Sequence, residues 1–202
     1  FLLADGWHGG DLHATLSTVA ARTFHRVSVD GDTSPNDTLF LLANERRAAP
    51  ERAVAEPLER VSVALARQLA ADGEGASRLV TIEVRGAPEE TAAARVGRTI
   101  ATSMLTKTAI AGRDPNWGRL VAAAGRCGIA FDPGRTRVWV GGVEVFSDGR
   151  PHPEREAEAS RHLQHDECVV LGVDLGVGEA SADVWTCDLT ADYVRINADY
   201  RT

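Results

Sequence analysis

The segment LVTIEVRGAPEETAAARVGRTIATS, residues 79–103, contains the clearest strand and helix signals of the 202-residue chain. Residues 79–86 are rich in Val and Ile and alternate apolar with polar side chains, a pattern typical of a strand. Residues 88–103 predict a helix, and Pro88 stands at a first-turn position that tolerates proline. A strand followed closely by a helix is typical of layered packing. We therefore predict an α/β protein in which helices cover a sheet.

Two amphipathic helices are predicted upstream of this segment. Residues 12–20 place four apolar side chains on one helical face, and Asp11 can cap or charge the first turn. Residues 54–71 have leucines and valines at helical spacing, and Gly73 and Gly75 end that helix. Both helices would present an apolar stripe to a neighbouring layer.

Shorter signals lie between these two helices. RVSVD, residues 26–30, alternates like a strand. TLFLLANERR, residues 38–47, predicts a buried helix with a charged end. Between them stands DGDTSPNDT, residues 30–38, and so many short oxygen-bearing side chains between two apolar segments require an explanation.

The second half of the chain is richer in strand signals. TRVWV, GG and VEVF predict a hairpin over residues 136–146, and a charged helix follows around residues 154–162. CVVLGVDLGVG and ASADVWTCDL, residues 168–178 and 180–189, predict two strands joined by a glycine-containing turn. Strands in both halves and helices in the first support the layered α/β interpretation.

Composition and charge exclude several classes of protein. The chain is 44% hydrophobic and 25% charged, as an ordinary globular domain is, and no apolar run is long enough to span a membrane. The net charge of −7 is spread along the chain, which argues against nucleic acid or an anionic membrane as a partner. The three cysteines form no CxxC pair, so no zinc or thioredoxin-type site is expected. Reduced thiols predict a cytoplasmic protein.

The polar stretch has two interpretations after a third is excluded. Its alternating oxygen ligands resemble a calcium loop, but Pro35 and Leu41 stand where that loop needs a glycine and a bidentate acid. One remaining interpretation is a structured turn in which Ser34 or Asn36 caps the following helix. The other is the lining of a polar cleft, and composition leaves both open.

GRDPNWGR, residues 112–119, is the second unusual segment. One interpretation is a turn anchored by a buried Trp117, which opens a helix of small residues. The other is an anion or carboxylate site in which Arg113 and Arg119 converge with amides at the helix N-terminus. The six histidines are scattered and no GxSxG elbow accompanies them, so a histidine-based triad is not expected.

Four motifs follow one another across nearly the whole chain. They are VDGDTSPNDTLFLLAN, QLAADGEGASRL, KTAIAGRDPNWGR and CDLTADYVRINADY, which begin at residues 29, 68, 107 and 187. Together they resemble the ornithine acetyltransferase family, the bifunctional glutamate N-acetyltransferases of arginine biosynthesis. The four motifs are specific jointly, whereas any one alone is weak, and residues 131–165 are the least family-like part.

The resemblance implies one chain of a self-cleaved enzyme. In this family a precursor cleaves itself before a threonine, and residues 1–202 are similar to the resulting β chain. The implied fold is a layered α/β sandwich of the ornithine acetyltransferase (DmpA/ArgJ-like) type. Residues 1–126 would form a helix-rich part with the motifs, and residues 127–202 a β-rich part that completes the site. The implied partner is an α chain, with αβ pairs in a higher oligomer such as a heterotetramer.

The implied reaction is ping-pong acetyl transfer without a metal, nucleotide or other cofactor. The N-terminal threonine is the nucleophile, and its own amine can serve as the base. N-acetylornithine acetylates the threonine, ornithine leaves, and glutamate takes the acetyl group. FLLADG, residues 1–6, is similar to the segment that follows this threonine. The nucleophile is therefore expected just upstream of Phe1, and no catalytic residue is expected within the chain.

Three residues match substrate contacts of the family. Glu74, between two glycines, can approach a substrate ammonium closely, and Asn197 can both donate to and accept from an amino acid. Thr202 matches a contact at the C-terminus. Two alternatives remain, namely an amidase or aminopeptidase-like hydrolase in which water takes the acyl group, and a non-catalytic subunit that lacks the nucleophile.

Overall fold

The computed structural model describes residues 1–7 and 10–199. Within these ranges the chain forms eight strands and seven helices, with two short 3₁₀ turns at Phe24–Arg26 and Pro153–Arg155. In chain order the elements are β1 (Leu2–Trp7), α1 (Leu12–Arg22), β2 (Leu41–Ala48), α2 (Glu51–Ala71), β3 (Leu79–Ala87), α3 (Glu90–Ala101), α4 (Met104–Ala111), α5 (Trp117–Gly125), β4 (Arg137–Val140), β5 (Val143–Ser147), β6 (Arg150–Pro151), α6 (Glu156–His165), β7 (Cys168–Asp174), β8 (Ala180–Cys187) and α7 (Ala191–Asp199).

A six-stranded mixed sheet with the order β6-β5-β4-β7-β3-β8 forms the centre of the fold. β3 lies between β7, to which it is parallel, and β8, to which it is antiparallel. β7 and β8 are consecutive in the sequence, yet they do not pair with each other because β3 separates them. β3 comes from the first half of the chain and the other five strands from the second half, so both halves contribute to this sheet.

One face of this sheet is covered by α3 and α5. Val80, Ile82 and Val84 of β3 are buried on it, since alternate side chains of a strand point to the same face. α3 lies so close to the sheet that a Cβ at Gly97 would be 2.6 Å from Cγ2 of Val184. This layer of helices on strands contains the main hydrophobic core.

The opposite face of the sheet is covered only in part. α2 packs over one end, where Ala66 and Ala70 meet Leu79 and Trp185. Beyond α2 the face is open and polar, and it lines a cavity of about 850 Å³. The charged residues that line this part include Glu83, Arg85, Arg137, Glu144 and Asp174.

A second sheet of two parallel strands, β1 and β2, forms the N-terminal layer. Leu2 of β1 packs with Val19 of α1 and Leu58 of α2 in a small separate core. The helix predicted over residues 38–47 is therefore wrong, because most of that segment forms β2.

The physical reason for this error is the apolar run from Leu39 to Leu42. A short apolar run without clear alternation is compatible with a strand or with a buried helix. In the structure Leu39 and Leu41 pack on the N-terminal core, whereas Phe40 and Leu42 are exposed. The strand predicted over residues 26–30 is also wrong, since a 3₁₀ turn is followed there by one isolated bridge, from Val27 to Trp185.

The other predicted elements are confirmed. Asp11 caps α1 by accepting hydrogen bonds from the amides of His13 and Ala14. The helices α2, α3 and α6, the hairpin of β4 and β5, and the strands β3, β7 and β8 lie where the sequence predicts them. Pro88 precedes the N-cap residue Glu89 of α3 rather than standing in its first turn. In the ranges described, no helix has the length and apolar character needed to cross a membrane.

Candidate functional site

Glu74 lies on a tight turn that follows α2. A Cβ at Gly73 would lie 2.9 Å from Sγ of Cys187, and a Cβ at Gly75 would lie 2.4 Å from the backbone nitrogen of Tyr193. Gly75 also has a φ of 66°, a conformation that favours glycine. The two glycines therefore let the turn approach both the end of β8 and the start of α7.

The structure brings two of the three predicted substrate contacts together. Nδ2 of Asn197 on α7 donates a 2.7 Å hydrogen bond to Oε2 of Glu74 and a 3.0 Å hydrogen bond to the carbonyl of Tyr193. Both side chains are exposed, so a small molecule can reach them. The third predicted contact, Thr202, lies outside the described residues.

α7 is also joined to the polar stretch that follows the first 3₁₀ turn. The hydroxyl of Tyr193 donates a 3.1 Å hydrogen bond to Oδ2 of Asp30. Burial raises the pKa of Tyr193, and this hydrogen bond to the Asp30 carboxylate raises it further. The Tyr193 phenol therefore stays protonated at neutral pH and continues to donate to Asp30.

Asp188, directly after β8, fixes the far side of the Glu74 turn. Its buried carboxylate accepts hydrogen bonds from the amide of Ser77 (2.8 Å), the hydroxyl of Ser77 (2.5 Å) and the amide of Arg78 (3.2 Å). Thr190 donates a 2.7 Å hydrogen bond to the carbonyl of Gly75. Hydrogen bonds to a charged carboxylate are stronger than neutral ones, so the turn is held firmly.

The rest of the polar stretch forms a local turn network. Oγ of Ser34 accepts from the amide of Asp37 at 3.3 Å, and the hydroxyl of Thr38 donates to the carbonyl of Asn36. The turn interpretation is thus confirmed, but its helix cap is wrong because β2 follows. Among the described residues, no group of three or more His, Cys, Asp or Glu side chains could hold a metal ion.

In the segment of residues 112–119, Arg119 and the N-terminus of α5 already have hydrogen-bond partners within the chain. Oδ1 of Asn116 accepts from the amide of Arg119 and so caps α5, while Nη1 of Arg119 donates to the carbonyl of Leu105 at 2.9 Å. Trp117 stacks on Phe146 with 4.3 Å between the ring centroids. These contacts favour the interpretation of a turn anchored by an aromatic ring.

The cavity over the open polar face of the six-stranded sheet is a different candidate for a binding site. The cavity of about 850 Å³ lies over the open polar face of the six-stranded sheet, and neither Glu74 nor Asn197 lines it. Four of its charged side chains form ion pairs, Arg137 with Glu144 and Arg85 with Glu83. The Glu74–Asn197 pair is the stronger candidate, because no described residue donates a hydrogen bond to Oε1 of Glu74 or to Oδ1 of Asn197.

Sequence reasoning missed three residues that connect these segments. They are Asp188, Tyr193 and Lys107, whose Nζ donates hydrogen bonds to the carbonyls of Val29 and Cys187. All three lie inside the four family-like motifs, yet no local sequence pattern predicts a role for them. Their partners lie between 78 and 163 positions away along the chain. No local pattern signals such contacts.

Comparison with known proteins identifies the family. A sequence model described as "ArgJ family" matches residues 7–202. The chain belongs to the ArgJ family. Arginine biosynthesis bifunctional protein ArgJ of Deinococcus radiodurans is 48% identical over 196 residues, which cover 96% of this chain and 49% of that protein. The protein of the same name from Thermosynechococcus vestitus is 43% identical over 211 residues, covering 93% of this chain and 50% of that protein.

A solved structure supports the same assignment. The crystal structure of arginine biosynthesis bifunctional protein ArgJ from Bacillus halodurans contains a chain that superposes with a TM-score of 0.91 at 35% identity. The match covers 99% of this chain and 100% of that chain, whereas this chain spans about half the length of the curated relatives. The family resemblance and the layered α/β fold predicted from the sequence are both confirmed.

Proposed function

We propose that the chain is the β part of a self-cleaved acetyltransferase. The enzyme moves an acetyl group from N-acetylornithine to glutamate, in arginine biosynthesis or a related specialised pathway. The observation that carries the proposal is the contact between Glu74 and Asn197 in a chain that matches the ArgJ family over residues 7–202. The relatives are named arginine biosynthesis bifunctional proteins, which supports this choice of substrates.

Glu74 and Asn197 have the chemistry to bind an amino acid. Oε1 of Glu74 and Oδ1 of Asn197 accept no hydrogen bond from any described residue, while Nδ2 of Asn197 already donates twice. An ammonium group offers three donors and a positive charge, so both oxygens can accept from it. We assign Glu74 to the substrate ammonium and Asn197 to a polar group beside it, with Thr202 as a third contact.

The proposed reaction uses the threonine expected just upstream of Phe1. Its hydroxyl attacks the acetyl carbonyl of N-acetylornithine, the amide C–N bond breaks, and the ornithine amine leaves with the proton. The amine of glutamate then attacks the resulting ester and restores the threonine hydroxyl. Covalent transfer of this kind divides one difficult step into two easier ones, and the acetyl group needs no carrier other than the threonine.

We further propose that an α chain, the N-terminal part of the precursor, covers β1 and β2 before αβ pairs assemble, for instance as a heterotetramer. Parallel sheets are usually covered on both faces, and a two-stranded sheet is marginal alone. Here one face exposes Leu3 (77%), Phe40 (48%) and Leu42 (54%). In this proposal, the part of the relatives that lies outside the match supplies this cover. The three unpaired cysteines agree with a cytoplasmic location.

The test is the substitution Glu74→Gln in the whole precursor. Loss of a charge-assisted hydrogen bond should raise KM for N-acetylornithine about tenfold or more. The matched control is Glu179→Gln, which removes an exposed carboxylate before β8 and should leave KM unchanged. Steady-state kinetics of acetyl transfer to glutamate measures both, and intact mass after brief exposure to N-acetylornithine detects the acetyl-threonine.

Three results would count against the proposal. Equal KM values for Glu74→Gln and Glu179→Gln would remove Glu74 from the substrate site. Release of one acetate per N-acetylornithine, with or without glutamate, would identify a hydrolase. A wild-type protein that gains no acetyl group and has no upstream threonine would be a non-catalytic subunit.

A further inference from the structure

The chain contains one lysine and 21 arginines. That lysine, Lys107 on α4, is only 3% exposed, whereas a lysine is almost never fully buried unless it is paired. An ammonium is a compact point charge with three donors, and the wider guanidinium of arginine cannot replace it in a confined space. The burial of Lys107 therefore requires a specific role.

The ammonium of Lys107 joins three separate parts of the chain. Nζ donates to the carbonyl of Val29 at 2.7 Å, to Oγ1 of Thr186 at 3.0 Å and to the carbonyl of Cys187 at 2.5 Å. Sγ of Cys187 lies 3.6 Å from the same nitrogen. All three donors of the ammonium are thus used, and they connect α4 to the polar stretch and to the end of β8.

The two carbonyls that Lys107 binds stand immediately before site residues. Val29 precedes Asp30, which accepts the hydrogen bond from Tyr193 on α7. Cys187 precedes Asp188, which holds the backbone of the Glu74 turn through Ser77 and Arg78. Lys107 itself contacts neither Glu74 nor Asn197, so any effect on them passes through these two backbone segments.

We propose that Lys107 is a positioning residue whose ammonium fixes the polar stretch and the end of β8 in the relation that brings Glu74 and Asn197 together. This inference rests on the proposed function, because it assigns a support to the same site. The unfavourable desolvation of the Lys107 ammonium supports this positioning role. Desolvation lowers the pKa of Lys107, and Cys187, Asp188 and Asp30 oppose that effect only in part. A plain core position would hold an apolar side chain instead.

The test is Lys107→Met in the whole protein, with Thr106→Val as the matched control. Met has a similar length and no donor, whereas Thr106 is the neighbouring residue on α4, is 1% exposed and has a hydroxyl without a hydrogen-bond partner among the described residues. Lys107→Gln keeps two N–H donors and serves as the conservative variant. It also replaces Lys107→Met if that protein does not fold.

Two measurements separate positioning from general stability. Hydrogen exchange should accelerate about tenfold in residues 29–32, 74–78 and 191–199 of Lys107→Met, because loss of the buried hydrogen bonds makes local opening of these segments easier. Exchange in the β4–β5 hairpin should remain unchanged. KM for N-acetylornithine should rise about tenfold with a smaller change in kcat. Lys107→Gln should restore part of both effects.

The two measurements also separate this inference from the proposed function. Uniform acceleration across the six-stranded sheet, or exchange equal to that of Thr106→Val, would overturn the positioning role whatever the kinetics show. If exchange changes locally but the wild-type protein transfers no acetyl group, the proposed function is wrong. Lys107 would then still be the support of the Glu74–Asn197 pair.

Discussion

The two sheets of the molecule differ in how completely this chain covers them. On one face of the six-stranded sheet, Val80, Ile82 and Val138 are fully buried by helices of the same chain. Where the other face is open, it is polar. The two-stranded sheet has apolar side chains on both faces, and Leu3 and Leu42 are 77% and 54% exposed.

The apolar side chains of the six-stranded sheet are buried within this chain, whereas part of the apolar surface of the two-stranded sheet stays exposed. An open polar face is in contact with water at little cost, whereas a contiguous apolar patch marks an interaction surface. The core of the six-stranded sheet is built from residues of this chain. The β1–β2 sheet exposes Leu3 and Leu42, and this is the surface that we propose the α chain covers.

The largest expected difference in stability between the two sheets comes from one Leu→Ala substitution in each. Leu171→Ala removes a side chain that is 2% exposed in β7, and it should cost about 2–5 kcal/mol of unfolding free energy because a cavity remains. Leu42→Ala in β2 should cost less than about 1 kcal/mol in the 202-residue chain, since little apolar area is buried there. Urea unfolding measures both values.

The same pair in the whole protein sharpens the test. If the α chain covers β2, the cost of Leu42→Ala should rise towards that of Leu171→Ala in the assembled protein. A cost that stays small in the assembly would mean that this face remains exposed, and the proposed position of the α chain would be wrong. A large cost already in the isolated chain would contradict the open face itself.

The same contrast explains how much of the fold could be predicted from sequence. β3 and α3 were predicted because their apolar patterns match cores that lie within the chain. β2 was mistaken for a helix because the run from Leu39 to Leu42 places apolar side chains on both faces, and such a run lacks the alternation that identifies a strand. The strand order was not predictable, since β3 pairs with strands that lie about a hundred residues away.

A substitution at Gly97 tests how closely α3 packs on the six-stranded sheet. A Cβ at Gly97 of α3 would lie 2.6 Å from Cγ2 of Val184 in β8, so Gly97→Ala should lower the free energy of unfolding by about 1–3 kcal/mol through overpacking. The control is Gly118→Ala in α5, where the nearest atom is 3.5 Å away, and helix propensity should make it neutral or stabilising by up to about 1 kcal/mol. Thermal unfolding compares them, and equal effects would show that α3 can move away from the sheet.

The site was less predictable than the fold. Glu74 and Asn197 were identified only through the family resemblance, because an exposed carboxylate and an exposed amide are common surface residues. Lys107 and Asp188 were missed because their roles depend on hydrogen bonds to backbone groups far away in sequence. Single-sequence patterns report periodicity along one element, whereas this site lies where α4, α7, β8 and two turns meet.

The smallest expected effect concerns the open polar face of the six-stranded sheet. A hydrogen bond from Arg137 lowers the pKa of Glu144, and the two side chains form a 2.5 Å ion pair that is partly exposed. Glu144→Gln should therefore cost at most about 1 kcal/mol at neutral pH. Because the folded pKa is depressed, the stabilisation is complete above the pKa of an ordinary glutamate and is lost as the pH falls through the lowered value.

The Arg137–Glu144 pair also tests whether the polar face of the six-stranded sheet stays open in the whole protein. The difference in unfolding free energy between wild type and Glu144→Gln should be the same in the isolated chain and in the whole protein, with Glu179→Gln as the control for a general change in charge. A larger difference in the whole protein would mean that the polar face is covered too, because excluding water strengthens an ion pair. In that case both sheets would be covered in the whole protein, and the α chain would be expected to contact both.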